Sequence, residues 1–272
     1  MNDLVSSYRQ VVVEKQYGSG SNLAARQAIY RWRTPLIDLY EWALDQIEWE
    51  GHEVAVDVGC GNGDYLRPLA VRANVVVGVD LSRGMLAGIA ARAIDPRVAL
   101  AQADIQSLPL IDAQADVALA MHMLYHVPDV RRAADELRRV IRPGGVLLAV
   151  TNGAAHMAEL YALVSDALSA VAGERVSRPN LIEGFTLENG TVQLSDAFES
   201  IERRDLRGEL VVPEVEALVA YVDSQSTPLA WLLPDMELWA EVLREVEERA
   251  RAAITRAGVL RIGTEVGVFV CR

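Results

Sequence analysis

Between residues 54 and 152, short apolar runs alternate with stretches in which apolar residues recur at helical spacing. The apolar runs predict five strands, at 54–58, 75–80, 98–104, 115–122 and 146–152. The stretches between them predict three helices, at 64–73, 83–93 and 130–141. Strands that are apolar on both faces are typical of a parallel sheet that helices cover on each side. The pattern therefore predicts an α/β domain.

The flanking segments predict helices and two further strands. Residues 1–50 show helical spacing, and Thr34-Pro35 has the residue types of an N-cap followed by a first helical position. After residue 152 the alternation stops, and helices are predicted together with an edge strand near 200–212 and a final strand. The chain is therefore divided into an N-terminal helical lid segment, a core, a helical cap inserted after the fifth strand and a terminal strand: 1–50, 51–152, 153–257 and 258–272.

Composition and charge narrow the range of partners. Hydrophobic residues make up 51% of the 272 positions, and the net charge of −12 disfavours nucleic acid because an acidic surface repels phosphates. The N-terminal residues lack the pattern of a signal peptide, and no apolar run approaches the length of a membrane span. Cys60 and Cys271 give neither a disulfide framework nor a metal-ligand spacing. We expect a cytoplasmic protein with no metal and no nucleic-acid or membrane partner.

A glycine-rich loop follows the first predicted core strand, in the sequence VAVDVGCGNGDYL. Its glycines, Gly59, Gly61 and Gly63, alternate, whereas a dinucleotide loop of the form G-x-G-x-x-G needs a glycine where Asp64 stands. No Gly-Lys-Ser/Thr follows, so the loop is not of the Walker type either. Because Asp57 and Asp64 flank the loop, it suits a cationic ligand better than a phosphate.

Two more acidic residues end the next two predicted strands. Asp80 stands where a carboxylate can accept hydrogen bonds from both hydroxyls of a ribose, and Asp104, followed by Ile105, could accept from the amino group of adenine. Each aspartate alone could simply cap a helix or a turn. Three acids at successive strand ends favour a ligand site instead.

Five motifs in this order resemble the class I methyltransferases that use S-adenosylmethionine, of the type that modifies small molecules: VDVGCGNG, VGVDLSRGML, AQADIQSLPL, DVALAMHMLYHVPD and LRRVIRPGGVLLAV. The resemblance covers residues 50–152 closely, whereas the flanking segments share only the general character of the family and none of these motifs. It implies a Rossmann-like sheet of seven mostly parallel strands in the order 3-2-1-4-5-7-6, with strand 7 antiparallel. The terminal sequence EVGVFVCR is consistent with that last strand.

The resemblance also implies S-adenosylmethionine as the cofactor and a set of residues that bind it. The glycine loop and Asp57 would lie at the methionine portion, Asp80 at the ribose, and Asp104 at the adenine. Met121 would border the sulfonium, and Tyr17 would close over the cofactor. The full set is Tyr17, Asp57, Gly59, Cys60, Gly61, Asp80, Leu81, Asp104, Ile105 and Met121.

Candidate bases follow the fourth core strand. His122, Tyr125 and His126 stand there, although a histidine before Val-Pro-Asp can also serve only to order the loop. A base is needed only when the acceptor must lose a proton. Further along, Asn152 could bond the substrate, and His156 is either a pocket residue or a solvated helix residue.

These observations predict a methyltransferase that transfers a methyl group to a small-molecule acceptor by in-line displacement, with specialised natural products as a leading acceptor class. The alternatives are an RNA or protein methyltransferase, a nicotinamide-dependent oxidoreductase and a non-catalytic cofactor-binding protein. The sequence does not indicate an oligomeric state.

Overall fold

The computed structural model describes residues 21–272, so the predicted cofactor residue Tyr17 lies outside the described residues. Its strands are β1 Arg33–Thr34, β2 Val54–Val58, β3 Val75–Asp80, β4 Val98–Gln102, β5 Ala115–Met121, β6 Ile141–Asn152, β7 Ile201–Val212 and β8 Leu260–Cys271. All eight belong to one sheet in the order β1-β7-β8-β6-β5-β2-β3-β4.

The middle of the sheet is parallel and one end of it is antiparallel. Strands β2 to β6 pair in parallel, whereas β8 runs antiparallel to both β6 and β7. From the β4 edge, the seven longer strands follow the order that the resemblance implies. The count of seven is nevertheless wrong, because β1 pairs antiparallel with β7 as an eighth strand. As a result, the predicted edge strand near 200–212 is β7, and it lies inside the sheet.

Ten α-helices and four short 3₁₀ helices accompany the strands in the described part of the chain. The α-helices are α1 Ser21–Ala28, α2 Leu39–Leu44, α3 Leu66–Arg72, α4 Arg83–Arg92, α5 Val130–Val140, α6 Ala158–Ala172, α7 Gly190–Leu194, α8 Val215–Asp223, α9 Ser226–Leu229 and α10 Trp239–Ala257. Within residues 21–272, no helix has both the length and the apolar character needed to cross a bilayer.

The predicted helix start at Thr34-Pro35 is wrong. Thr34 ends β1, and α2 begins only at Leu39. Asp38 is the actual N-cap, because one of its carboxylate oxygens accepts from the backbone amides of Tyr40 at 2.9 Å and Glu41 at 3.2 Å. This short side chain satisfies two of the amides that the first turn leaves without partners.

The core lies on both faces of the sheet and beneath the helical cap. Along β2, Val56 packs into the cluster that includes Leu137 of α5, whereas its neighbour Ala55 packs into the cluster that includes Leu66 of α3. This alternation places helices on opposite faces of the sheet, as the strand period requires. A third cluster joins α6, α8 and α10 to β7 and β8. The cap is thus anchored near the antiparallel end of the sheet.

Candidate active site

A cavity of about 760 Å³ lies where the carboxyl ends of the parallel strands meet. Eleven of the predicted site residues line it: Asp57, Gly59, Cys60, Gly61, Asp80, Leu81, Ile105, Met121, His122, Tyr125 and His126. Asp104 does not line it, although its neighbours Ala103 and Ile105 do. The Asp104 carboxylate instead accepts from the backbone amide of Gln106 at 3.0 Å. This placement favours the turn-capping alternative for Asp104.

The glycine loop has a backbone that L side chains rarely adopt. Gly59, Gly61 and Gly63 have φ values of +74°, +55° and +79°. At Gly59 there is a second constraint, because a Cβ atom would lie 2.8 Å from Cγ of Met123. The Gly59 amide donates to the carbonyl of Val79 at 2.7 Å, so the loop is fixed to the end of β3. The loop therefore presents bare backbone to the cavity.

Asp80 connects this loop to the next helix. Its Oδ2 accepts from the Gly61 amide at 2.8 Å, and its Oδ1 accepts from the Ser82 amide at 2.7 Å. Ser82 in turn caps α4 through its hydroxyl. A carboxylate has about four acceptor positions. Both oxygens of Asp80 can therefore accept further bonds from a ligand while the backbone holds them in place.

Asp57 is a buried carboxyl group that has no hydrogen-bond partner among the described residues. Only 1% of the residue is exposed. Burial raises the pKa of Asp57 to about 8, and Asp80 and Asp64 add repulsion. Burial raises the pKa of the neighbouring Cys60 thiol as well. A cationic group in the cavity would supply the partner that Asp57 lacks.

The N-terminal helices lie against the glycine loop through Asp64. Its Oδ2 accepts from Nε2 of Gln27 at 2.6 Å and from the hydroxyl of Tyr40 at 3.0 Å. Tyr65 lies edge-on to Tyr40, with ring centroids 4.8 Å apart. The segment around α1 and α2 thus forms part of the cavity wall.

The three predicted bases line the cavity beyond β5. His122 has a left-handed backbone, with φ of +54°, and its amide donates to the Val150 carbonyl at 2.9 Å. Burial lowers the pKa of His122 to about 4, so its imidazole is neutral at pH 7. The rings of Tyr125 and His126 meet edge to face, with centroids 4.5 Å apart.

His156 and Tyr30 form a pair that the sequence prediction missed. His156 is only 3% exposed and lines the cavity, so the alternative of a solvated helix residue is wrong. Its Nε2 lies 3.0 Å from the Tyr30 hydroxyl, and its Nδ1 lies 3.0 Å from the carbonyl oxygen and 3.1 Å from the amide nitrogen of Glu265. Burial lowers the pKa of His156 to about 3. The pair is therefore neutral at pH 7, and its tautomer decides which atom carries the proton.

Two further polar residues of the cavity wall also lack partners. The side-chain oxygen of Asn152 and both terminal nitrogens of Arg33 are buried and make no hydrogen bond within the described part of the chain. Arg33 was not a candidate because it belongs to a segment with helical spacing. The position of Arg33 in the cavity wall depends on the pairing of β1 with β7, which the sequence pattern does not predict.

Comparisons with known proteins show which family the core of the chain is similar to. Residues 56–149 match the model of a family described as a methyltransferase domain. The chain is 37% identical over 123 residues to malonyl-[acyl-carrier protein] O-methyltransferase of Serratia marcescens, a match that covers 45% of this chain and 46% of that protein. It is 37% identical over 97 residues to 27-O-demethylrifamycin SV methyltransferase of Amycolatopsis mediterranei, covering 34% and 36%.

A solved structure extends the likeness to the whole fold. The Haemonchus contortus phosphoethanolamine N-methyltransferase 2, bound to phosphomonomethylethanolamine and S-adenosylhomocysteine, superposes with a TM-score of 0.58 at 16% identity, covering 97% of this chain and 59% of that one. The chain spans less than half the length of the two curated relatives, so their family likeness concerns the glycine-loop core. Residues 56–149 are therefore similar to a methyltransferase domain, both in the family model and in the two curated relatives.

Proposed function

We propose that this chain is an S-adenosylmethionine-dependent methyltransferase that acts on a small-molecule acceptor, with specialised natural products as the leading acceptor class. The observation that carries the proposal is the buried carboxylate of Asp57, which has no partner beside a loop of bare glycine backbone. A phosphate ligand would be repelled there, whereas a ligand with an ammonium and a sulfonium is attracted.

The residues present fit this cofactor. Asp57 would hold the ammonium, the backbone of Gly59 and Gly61 would pass close to the methionine portion, and Asp80 would accept from the ribose hydroxyls. Leu81 and Ile105 offer apolar surface for the adenine, and both line the cavity. When bound, the cofactor supplies a methyl group on a sulfonium, which is already a good leaving group.

The remaining residues of the wall orient the acceptor and exclude water. Positioning of this kind can contribute about 7–11 kcal/mol in favourable systems. Where the acceptor must lose a proton, His122 can accept it because its imidazole is neutral at pH 7, but burial lowers its pKa to about 4 and makes it a weak base. The Tyr30 hydroxyl can hold a proton at the same wall, because His156 fixes its direction.

A small acceptor is favoured by the site and by the relatives. The cavity of about 760 Å³ has room for a cofactor and a compact second molecule. The net charge of −12 disfavours an RNA substrate. The two relatives above are named for malonyl-[acyl-carrier protein] and for 27-O-demethylrifamycin SV, and the second of these is a natural product.

The test has a binding step and a transfer step. S-adenosylhomocysteine should bind by calorimetry while NADH does not, and labelled S-adenosylmethionine should then label small molecules in a metabolite extract. Binding of NADH alone would instead establish the oxidoreductase alternative. Label confined to added RNA or protein would overturn the acceptor class, and cofactor binding without transfer to any of the three would indicate a non-catalytic binder.

A further inference from the structure

Arg33 is a buried cation in the wall of the cavity. It is 6% exposed, it lines the cavity, and its two terminal nitrogens make no hydrogen bond to any residue of 21–272. Burial lowers the pKa of Arg33, and the neighbour that opposes this change is Tyr30. None of the ion pairs among the described residues includes Arg33. A buried guanidinium without an acid is unfavourable unless a ligand supplies the anion.

A glycine of β7 leaves space beside the sheet for the guanidinium of Arg33. At Gly208 of β7, a Cβ atom would lie 3.2 Å from Nη2 of Arg33 and 3.3 Å from Oγ1 of Thr264. Glycine therefore leaves room for the guanidinium beside the sheet. Thr264 Oγ1 also lacks a hydrogen-bond partner within the described residues, so the polar atoms around the guanidinium do not satisfy one another.

The charges of the cavity wall are separated along the sheet. Asp57 and Asp80 stand on β2 and β3, whereas Arg33 stands on β1 at the opposite edge. His122 and Asn152, at the ends of β5 and β6, lie between them in the strand order and also line the cavity. A cationic ligand group and an anionic one can thus occupy the same cavity without sharing a binding position.

We infer that Arg33 binds a carboxylate group of the methyl acceptor. That the carboxylate belongs to a methyl acceptor rests on the proposed function, whereas the anion-binding site itself follows from the guanidinium that has no partner. One guanidinium matches one carboxylate through two parallel hydrogen bonds. A phosphate dianion would call for further cations, and the nearby Arg26 already donates to the side chain and the backbone of Ser224. The class of acceptor is therefore a compact organic acid.

The experiment titrates matched acids and amides into the full chain. The probes are 3-phenylpropanoate with 3-phenylpropanamide, and decanoate with decanamide, each added with and without S-adenosylhomocysteine. We expect at least one acid to bind about tenfold more tightly than its amide, since charge-assisted hydrogen bonds to a guanidinium are among the strong ones. Equal binding of acid and amide in both pairs, or no binding of either acid at millimolar concentration, would overturn the inference. So would an acid preference that saturating S-adenosylhomocysteine abolishes, because the carboxylate of the cofactor itself would then be the group that Arg33 binds.

Two variants test whether Arg33 is the residue that makes the chain prefer an acid over its amide. Arg33→Met should bring acid and amide to within about twofold, while Arg31→Met, which removes an exposed arginine paired with Glu214, should leave the preference intact. The melting temperature of Arg33→Met should not fall, because the substitution removes a buried charge without a partner. A preference that survives in Arg33→Met overturns the inference. If Arg33→Met does not fold, the acid-to-amide ratio of the unsubstituted chain decides alone. Failure of S-adenosylhomocysteine to bind, with the acid preference intact, would reject the proposed function and not this site.

Discussion

The cavity has a proposed cofactor side and a proposed acceptor side, and the two sides differ in how the sequence builds them. The cofactor side consists of Asp57, Gly59, Gly61 and Asp80, which all lie within one strand–loop–helix–strand unit. The acceptor side consists of Tyr30, Arg33, Asn152 and His156, which come from an N-terminal segment and from the end of β6 and the turn after it. Contacts between residues close in sequence form the first side, and contacts across more than a hundred residues form the second.

The two sides also differ in where the hydrogen-bond partners of their polar groups come from. On the cofactor side, backbone amides of the local loop hold Asp80. On the acceptor side, His156 is held by Glu265 of β8 and Tyr30 from the N-terminal segment. The cofactor side can therefore be shared among related enzymes, whereas the acceptor side can change as its distant segments change.

The largest expected effect tests the cofactor side at Asp80. Asp80→Ala removes the acceptor of two backbone amides and the proposed acceptor of the ribose hydroxyls. We expect the affinity for S-adenosylhomocysteine to fall by about 100-fold or more, since hydrogen bonds to charged groups are worth about 1.5–3 kcal/mol each. Calorimetric titration measures the change.

The matched control for this prediction is Asp112→Ala. Asp112 is an exposed partner of Arg139 outside the cavity, so its removal should leave cofactor affinity unchanged. Equal affinities of Asp80→Ala and the unsubstituted chain would refute the ribose assignment.

Much of the core could be predicted because its signals are local. Five apolar runs and the glycine spacing each need only a few consecutive residues, and β2 to β5 lie where those runs predicted them, whereas β6 begins at Ile141 and not at residue 146 as predicted. The strand β1 could not be found this way, since two residues carry no periodicity and Arg33 and Thr34 pair with residues more than 170 positions later. Arg33 was missed as a site residue for the same reason, and the pairing of His156 with Tyr30 joins residues 126 positions apart. Asp104 illustrates why a strand-end acid is ambiguous in a sequence, because it can accept a hydrogen bond from its own turn, here from the Gln106 amide.

The next prediction separates backbone conformation from close packing at Gly59. Gly59→Ala adds a methyl group at φ of +74°, 2.8 Å from Met123 Cγ. We expect a loss of about 2–3 kcal/mol in the free energy of unfolding, from a left-handed alanine together with overpacking. Gly258→Ala, at φ of +79° with nothing within 4 Å, should lose only the conformational part, about 1 kcal/mol. Urea unfolding of both variants measures the difference, and equal losses would show that Met123 moves away without penalty.

The two sides should also respond in opposite directions to pH. The pKa of Asp57 is raised by burial from 3.8 to about 8, so between these values the folded state holds a proton that the unfolded state releases. Its contribution to stability is present at low pH and is lost as the pH rises toward 8. His156 has a pKa lowered from 6.5 to about 3, so its contribution is present above pH 6.5 and is lost as the pH falls.

Between pH 6.5 and 8, Asp57 alone of these two titrates, and the unsubstituted chain should lose about 1 kcal/mol per pH unit relative to Asp57→Asn. Below pH 6 the two effects should oppose each other, and His156→Gln should remove the part of the opposing effect that His156 contributes. Urea midpoints from pH 5 to 8 give these slopes. Parallel pH profiles for the unsubstituted chain and Asp57→Asn would show that Asp57 ionises normally in the folded state.

The smallest expected effect compares one tyrosine hydroxyl on each side. Tyr30→Phe removes the group that bonds His156 Nε2, and Tyr40→Phe removes a donor to Asp64 beside the glycine loop. If the two sides are separate, Tyr30→Phe should lower kcat/KM for the acceptor by about three- to tenfold, since a neutral hydrogen bond is worth about 1 kcal/mol, and leave S-adenosylhomocysteine affinity unchanged. Tyr40→Phe should show the reverse, with weaker cofactor binding and an unchanged acceptor KM at saturating cofactor. If both variants instead change cofactor affinity and acceptor kcat/KM together, the wall around α1 and α2 responds as one unit. Gln27 of α1 gives a physical route for this coupling, because its side chain also donates to the Tyr40 hydroxyl at 2.9 Å.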